Sequence, residues 1–173
     1  TYSGGTAGPG GVGGGGSGGT GGGGSIAGSF ATGGGGGGDS NGTAGKAGGS
    51  GIIILKYTFG DSTNQTFVFA NTGSFVVPNG VTTVDYLFVA GGGGGGSQVG
   101  GGGGAGGVIQ GTGYPVGPNQ MYTVQIGSGG IGAAGNQPAI TPGAVGSNTI
   151  FSAGNTANAI LFTAIGGGYG GSY

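Results

Sequence analysis

The chain has 173 residues, of which 59 are glycine, and its charged side chains are limited to Lys46, Lys56, Asp39, Asp61 and Asp85, for a net charge of −1. Near-neutrality excludes electrostatic capture of nucleic acid or of an anionic membrane. The absence of histidine, cysteine, glutamate and arginine excludes histidine triads, thiolate nucleophiles, thiolate metal sites and arginine clamps.

Residues 1–51 form a first glycine block, with 27 glycines among 51 positions. Glycine loses more backbone freedom on folding than any other residue, so this many must either stay open or order in a form that only glycine permits. Glycine can enter the polyproline-type conformation, about 3.1 Å per residue, and several such strands side by side would pair every N–H and C=O with a neighbour. The expectation is therefore a bundle of packed polyglycine type II helices. Collagen is excluded, since the glycines keep no strict period of three. Thr6 to Pro9, Ser25 to Thr32 and Asp39 to Thr43 interrupt the block at natural reversal points, with Ile26 and Phe30 expected to lean on a strand core.

Residues 52–59 read as the strongest strand, with Ile53, Leu55, Tyr57 and Phe59 on one face and Lys56 and Thr58 on the other. A turn at 60–64 leads to a short strand with Phe67 and Phe69 on one face, both expected in the core. Residues 73–77 follow, closed by the turn Pro78-Asn79-Gly80. In 82–90, Val84, Tyr86 and Phe88 alternate with Thr83, Asp85, Leu87 and Val89, and the strand runs into six glycines at 91–96. After the run 100–104 come a short strand at 108–110 and the clear one-face pattern of 121–126, where Tyr122, Val124 and Ile126 alternate with Thr123 and Gln125. Residues 127–148 look irregular, with Pro138 and Pro142 blocking pairing. Strands at 149–151 and 159–163 precede the closing glycines at 166–171.

The predicted fold is all-β: an antiparallel, jelly-roll-like β-sandwich joined to the polyglycine-helix bundle. The division is a glycine segment at 1–51 and a sandwich at 52–173 with glycine runs inserted at 91–107 and 166–171. Together these make one composite domain or one period of a tandem or polymeric repeat.

The chemistry is sparse. Asp39 and Asp61 sit in turn contexts, where a carboxylate caps its own backbone. Asp85 lies on a strand face. Asp39 with Asn41 offers calcium one carboxylate and one amide, which make only a weak site. Gly45-Lys46 lacks the Ser or Thr of a phosphate loop, and no string of spaced glycines sits between a strand and a helix as a dinucleotide site requires. No catalytic, cofactor or metal residue is expected, and the chain reads as no enzyme. Asn41-Gly42-Thr43 and Asn64-Gln65-Thr66 match the glycosylation triplet, making Asn41 and Asn64 candidate acceptors. Tyr2, Tyr114, Tyr169 and Tyr173 interrupt glycine-rich or turn segments and are candidate partner contacts. No apolar run reaches the ~18 residues of a membrane span, so no membrane insertion is expected.

The stretch from Gly73-Ser74-Phe75-Val76-Val77 through Val84-Asp85-Tyr86-Leu87-Phe88-Val89-Ala90 into six glycines resembles the glycine-rich domain of phage tail fibres and other virion or exported proteins. The stretch from Gly48 to Tyr57 looks like the closing strand of the same domain. The resemblance implies a polyglycine-helix lattice on a β-sandwich and carries over no catalytic residue. The order departs from the family's, because the closing half comes first. Circular permutation, one period cut from a tandem array, and a subunit whose first half completes a neighbour all fit. The last two build a fibre, and they make Ile52, Ile53, Ile54, Leu55, Lys56 and Tyr57 a candidate inter-subunit strand. The reading is a structural subunit of an extracellular or virion filament, partnered by copies of itself. The alternative is an adhesin module for host surface polysaccharide or receptor.

Overall fold

The computed structural model describes residues 6–20, 24–40, 42–135, 141–154 and 159–172. Alternation of apolar and polar side chains sets eight strands among them: β1 (Ile52–Thr58), β2 (Asn64–Phe69), β3 (Gly73–Val76), β4 (Thr83–Val89), β5 (Val108–Pro115), β6 (Met121–Gln125), β7 (Thr149–Ala153) and β8 (Ile160–Ala164). They pair into two four-stranded sheets, β2-β1-β4-β5 and β3-β6-β7-β8, antiparallel throughout. Both sheets are open, with β2, β5, β3 and β8 at the edges. The expected jelly roll is corrected on this point, since neither sheet closes on itself.

The core lies between the sheets. Ile53, Leu55, Tyr57, Val84 and Phe88 from one sheet meet Phe75, Tyr122, Val124 and Phe151 from the other, all buried. The aromatic rings carry the contact: Phe88 stacks on Phe151 with centroids 5.4 Å apart, and Phe151 stacks on Tyr122 at 4.8 Å. Tyr86 lies over Gly111, its direct partner on β5, where a Cβ would fall 2.6 Å from the ring. The missing side chain there makes room for the ring, which also meets Phe162 at 4.6 Å. Phe67, expected in the core, is 45% exposed, because edge strand β2 has β1 on one side only. Ile26 and Phe30 do not lean on the core either; both are exposed, since they belong to outer segments of the glycine layer.

That layer continues the strands from one end of the sheets. Residues 91–97 are all buried, and their backbone bonds reach six neighbouring segments. The N–H groups of Gly91 and Gly94 donate to Ser147 and Ala144, those of Gly92 and Gly95 to Gly49 and Lys46, and those of Gly93 and Gly96 to Gly104 and Gly101. The carbonyls of Gly91 and Gly94 accept from Gly167 and Gly170, those of Gly92 and Gly95 from Gly130 and Ala133, and those of Gly93 and Gly96 from Gly36 and Asp39. These bonds measure 2.8 to 3.0 Å. Each neighbour is met again every third residue, so the whole buried backbone of residues 91–96 is satisfied without a side chain. A Cβ on any glycine from 91 to 96 would fall under 3.0 Å from another segment's backbone.

The expectation of a polyglycine-helix bundle is overturned. No helix is present among the described residues; the bonds between segments are made without one. What orders the glycines is lateral cross-linking of non-helical segments. The outer segments keep the same three-residue rhythm: in 127–135 only Gly127, Gly130 and Ala133 are buried, and in 164–171 only Ala164, Gly167 and Gly170. Residues 127–135 and 141–148, read from sequence as irregular, are ordered members of this layer.

Candidate interaction surfaces

β1 stands at the middle of its sheet, registered against β2 through Ile53↔Phe69 and Lys56↔Thr66 and against β4 through Ile52↔Val89 and Lys56↔Asp85. In the single chain both edges of the candidate inter-subunit strand are therefore occupied. Ile53, Leu55 and Tyr57 are buried in the core, whereas Ile52, Ile54 and Lys56 take the outer face. Preceding β1, residues 33–39 and 44–51 supply two of the six neighbours of the central glycine run. One turn joins this N-terminal half to the rest. In it the Phe59 N–H donates to Thr63 and the Ser62 N–H to Phe59, Asp61 Oδ1 accepts from the Thr63 N–H at 2.9 Å, and Ser62 holds φ at +68°.

Of the candidate tyrosines, Tyr169 is exposed. Tyr114 is half-buried on β5 and set edge-on to Phe162 at 4.9 Å, so most of its ring is used internally. Tyr2, Tyr173 and the acceptor Asn41 lie outside the described residues. Asn64 is exposed at the start of β2, where its Oδ1 accepts from Thr58 Oγ1 at 2.7 Å.

The three carboxylates all bond to backbone. Asp85 Oδ1 accepts from Gly113 N–H at 2.9 Å, beside the register shift between Val84 and Tyr86. Asp39 is 2% exposed and accepts from Ser25 Oγ at 2.6 Å and from the Ser40 N–H at 2.8 Å. Burial pushes its carboxyl up, but the hydrogen bonds from Ser25, Thr43 and Ser40 outweigh it, and the net direction is below the usual value. The backbone and side chain of Thr63 hold Asp61 low as well. Sequence reasoning anticipated turn-capping at Asp39 but missed its burial, because Ser25 is 14 positions away and the two meet only when segments pack. Among the described residues, no three acidic or other ligating side chains gather where a metal could bind, and no helix is long and apolar enough to cross a membrane.

A flat pH response follows. A carboxylate with a depressed folded value stabilises above about pH 4 and loses that contribution as pH falls through the folded value. Tyr57 and Tyr122 are raised by burial; such a group stabilises fully below about pH 10 and loses its contribution as pH rises further. Without histidine or cysteine, no side chain ordinarily titrates between. The melting temperature should hold constant from about pH 5 to 9 and fall on either side, as scanning calorimetry would show. A clear step between about pH 5 and 8 would mean that some other group changes its charge on unfolding.

The outer face of the β2-β1-β4-β5 sheet carries an open groove of about 450 Å³ lined by Ile54, Lys56, Asp85, Leu87, Gln110 and Thr112. Its position was not foreseen, since only the β1–β4–β5 register brings these side chains to one face.

Comparison with known proteins finds a match to a family model described as a glycine-rich domain, over residues 68–173. No curated protein and no solved structure matches the chain. The resemblance to phage tail-fibre and virion proteins is accordingly cut back: the match supports a glycine-rich domain and does not indicate a fibre, virion or adhesin, and the polyglycine helices that the resemblance implied are absent among the described residues. Since the match covers more than half of its length, the chain belongs to the glycine-rich domain family.

Proposed function

We propose that the protein is a structural building block that joins copies of itself head to tail into a filament outside the cell, by exchange of its N-terminal half. The observation that carries this reading is the position of that half. It supplies β1, the strand between β2 and β4, and two segments around the central glycine run, yet the only covalent link to the remainder is the turn after β1. If this turn extends, the same pairings form between chains instead of within one. A subunit then gives its first half to one neighbour and accepts the first half of another, a contact that does not close. The near absence of charge removes self-repulsion.

Concentrated protein should show linear assemblies in negative-stain electron microscopy. Deleting Asp61, Ser62 and Thr63 should favour assembly, because too short a turn prevents the closed hairpin. Placing a protease site in the turn gives the decisive measurement. Cutting it should dissolve filaments into separate folds, each holding a neighbour's first half. Filaments that survive complete cleavage, or protein that stays monomeric at every concentration, would rule the reading out.

A further inference from the structure

The outer face of the β2-β1-β4-β5 sheet has an unusual composition for a solvent face. Antiparallel sheets with one wet side normally alternate apolar inside with polar outside. Here the register sets Val68, Ile54 and Leu87 side by side across β2, β1 and β4, followed by Gln110 on β5. One row along, Ile52 pairs with Val89, and Val89 with Val108. Val68 and Val108 are more than half exposed, while Ile54 and Leu87 are intermediate and flank the groove. Charge is confined to Lys56 and Asp85, direct partners on adjacent strands. They are two of the five charges in the chain. Asp85 uses Oδ1 on Gly113, and the Lys56 side chain is exposed.

This arrangement is complementary to itself. Consider a two-fold axis lying against the face, parallel to the strands and midway between β1 and β4. Rotation about it lays β1 of one copy over β4 of another. Lys56 then meets Asp85 of the partner subunit, Ile54 meets Leu87 of the partner subunit, and both contacts occur twice. We propose that this face is a docking surface for a second copy of the same chain, joined by two reciprocal Lys56–Asp85 ion pairs around an Ile54–Leu87 centre. The face matches itself because its two opposite charges sit at equal distances from the axis. At about 4.8 Å between strands and 3.4 Å per residue, the face measures roughly 20 by 20 Å. That is smaller than a standard stable interface. The pair is therefore weak and salt-sensitive alone, and strengthened by multivalency wherever subunits are already linked in a row. The inference does not depend on exchange of the N-terminal half: it joins intact folds side by side.

Sedimentation velocity on freshly isolated single chains, over a wide concentration range at low and high salt, tests it. The unmodified protein should show a rapidly reversible monomer–dimer equilibrium that weakens with salt. Lys56→Asp and Asp85→Lys should each weaken dimerisation at least about tenfold. Their equimolar mixture should restore it to within about threefold, because each mutant supplies the charge that the other now needs. Should Asp85→Lys unfold through loss of the Gly113 contact, as melting curves would reveal, Lys56→Asp mixed with Asp85→Asn and compared with Ile54→Asp makes the same test: Ile54→Asp abolishes the dimer, and the mixture exceeds Lys56→Asp alone. Monomers at all concentrations, single mutants that dimerise as well as the parent, or a mixture no better than its components would overturn the proposal. Cleavage in the turn after β1 should leave this dimer intact, which separates its failure from failure of strand exchange.

Discussion

Gly94→Ala should lower stability by about 3 kcal/mol or more, whereas Gly168→Ala, in the same glycine layer, should change it by less than about 0.5 kcal/mol. The Gly94 Cβ would collide with the Ile131 carbonyl, which belongs to a backbone that is itself cross-linked and has no flexible end to swing aside. Gly94 also donates to Ala144 and accepts from Gly170. Separating the segments would strain both bonds, each worth about 1 kcal/mol net and more if a partner is left buried and unpaired. A Cβ at Gly168 meets nothing within 4 Å. For a chain of this size the first substitution should lower the melting temperature by roughly 6–12 °C and the second by no more than a degree or two. Calorimetry on the two variants makes the comparison. Equal effects would mean that the glycines are required by composition alone and that the cross-linked geometry does not matter.

Phe88→Ala should be the most damaging single change in the strand core, at about 3–5 kcal/mol. Phe88 is 1% exposed, and it stacks on Tyr86 at 4.9 Å within its own sheet and on Phe151 across the gap. Its loss would open a cavity in the contact that joins the two sheets, and Phe151 and Phe162 are too constrained by neighbours to fill it. Val76→Ala, at a position more than half exposed, is the matched control and should cost below about 1 kcal/mol. Denaturant melts with a common slope would measure both. A Phe88 variant within about 1 kcal/mol of the parent would show that the sheets do not depend on one another.

The strands were legible where alternation is strict. Tyr122 and Val124 on β6 are buried and Thr123 and Gln125 are not, as a period of two requires. At β5 the apolar signal stops near Gln110, yet the strand continues to Pro115. Gly111 and Gly113 weaken its propensity, and pairing with β4 overrides that. Phe67 shows the opposite limit: alternation identifies a face but not whether a second sheet reaches far enough to cover it. In 127–148 the prolines drew attention away from a regularity of another kind. Gly127, Gly130 and Ala133, then Gly143 and Gly146, repeat small residues every three positions, the one signal that could have marked these segments as ordered.

The sequence alone determined the class of the protein: so much glycine and so few ionisable groups leave a pleated apolar core as the main source of side-chain burial. It also determined the faces of most strands, because side-chain direction in a strand depends on parity alone. Only the tertiary structure decided how the glycine runs are held, which residues tolerate a side chain, and that Asp39 is buried against Ser25. The reason is physical: a glycine backbone has no local preference strong enough to choose its partners, so its order is set by segments far apart in the chain meeting at hydrogen-bonding distance.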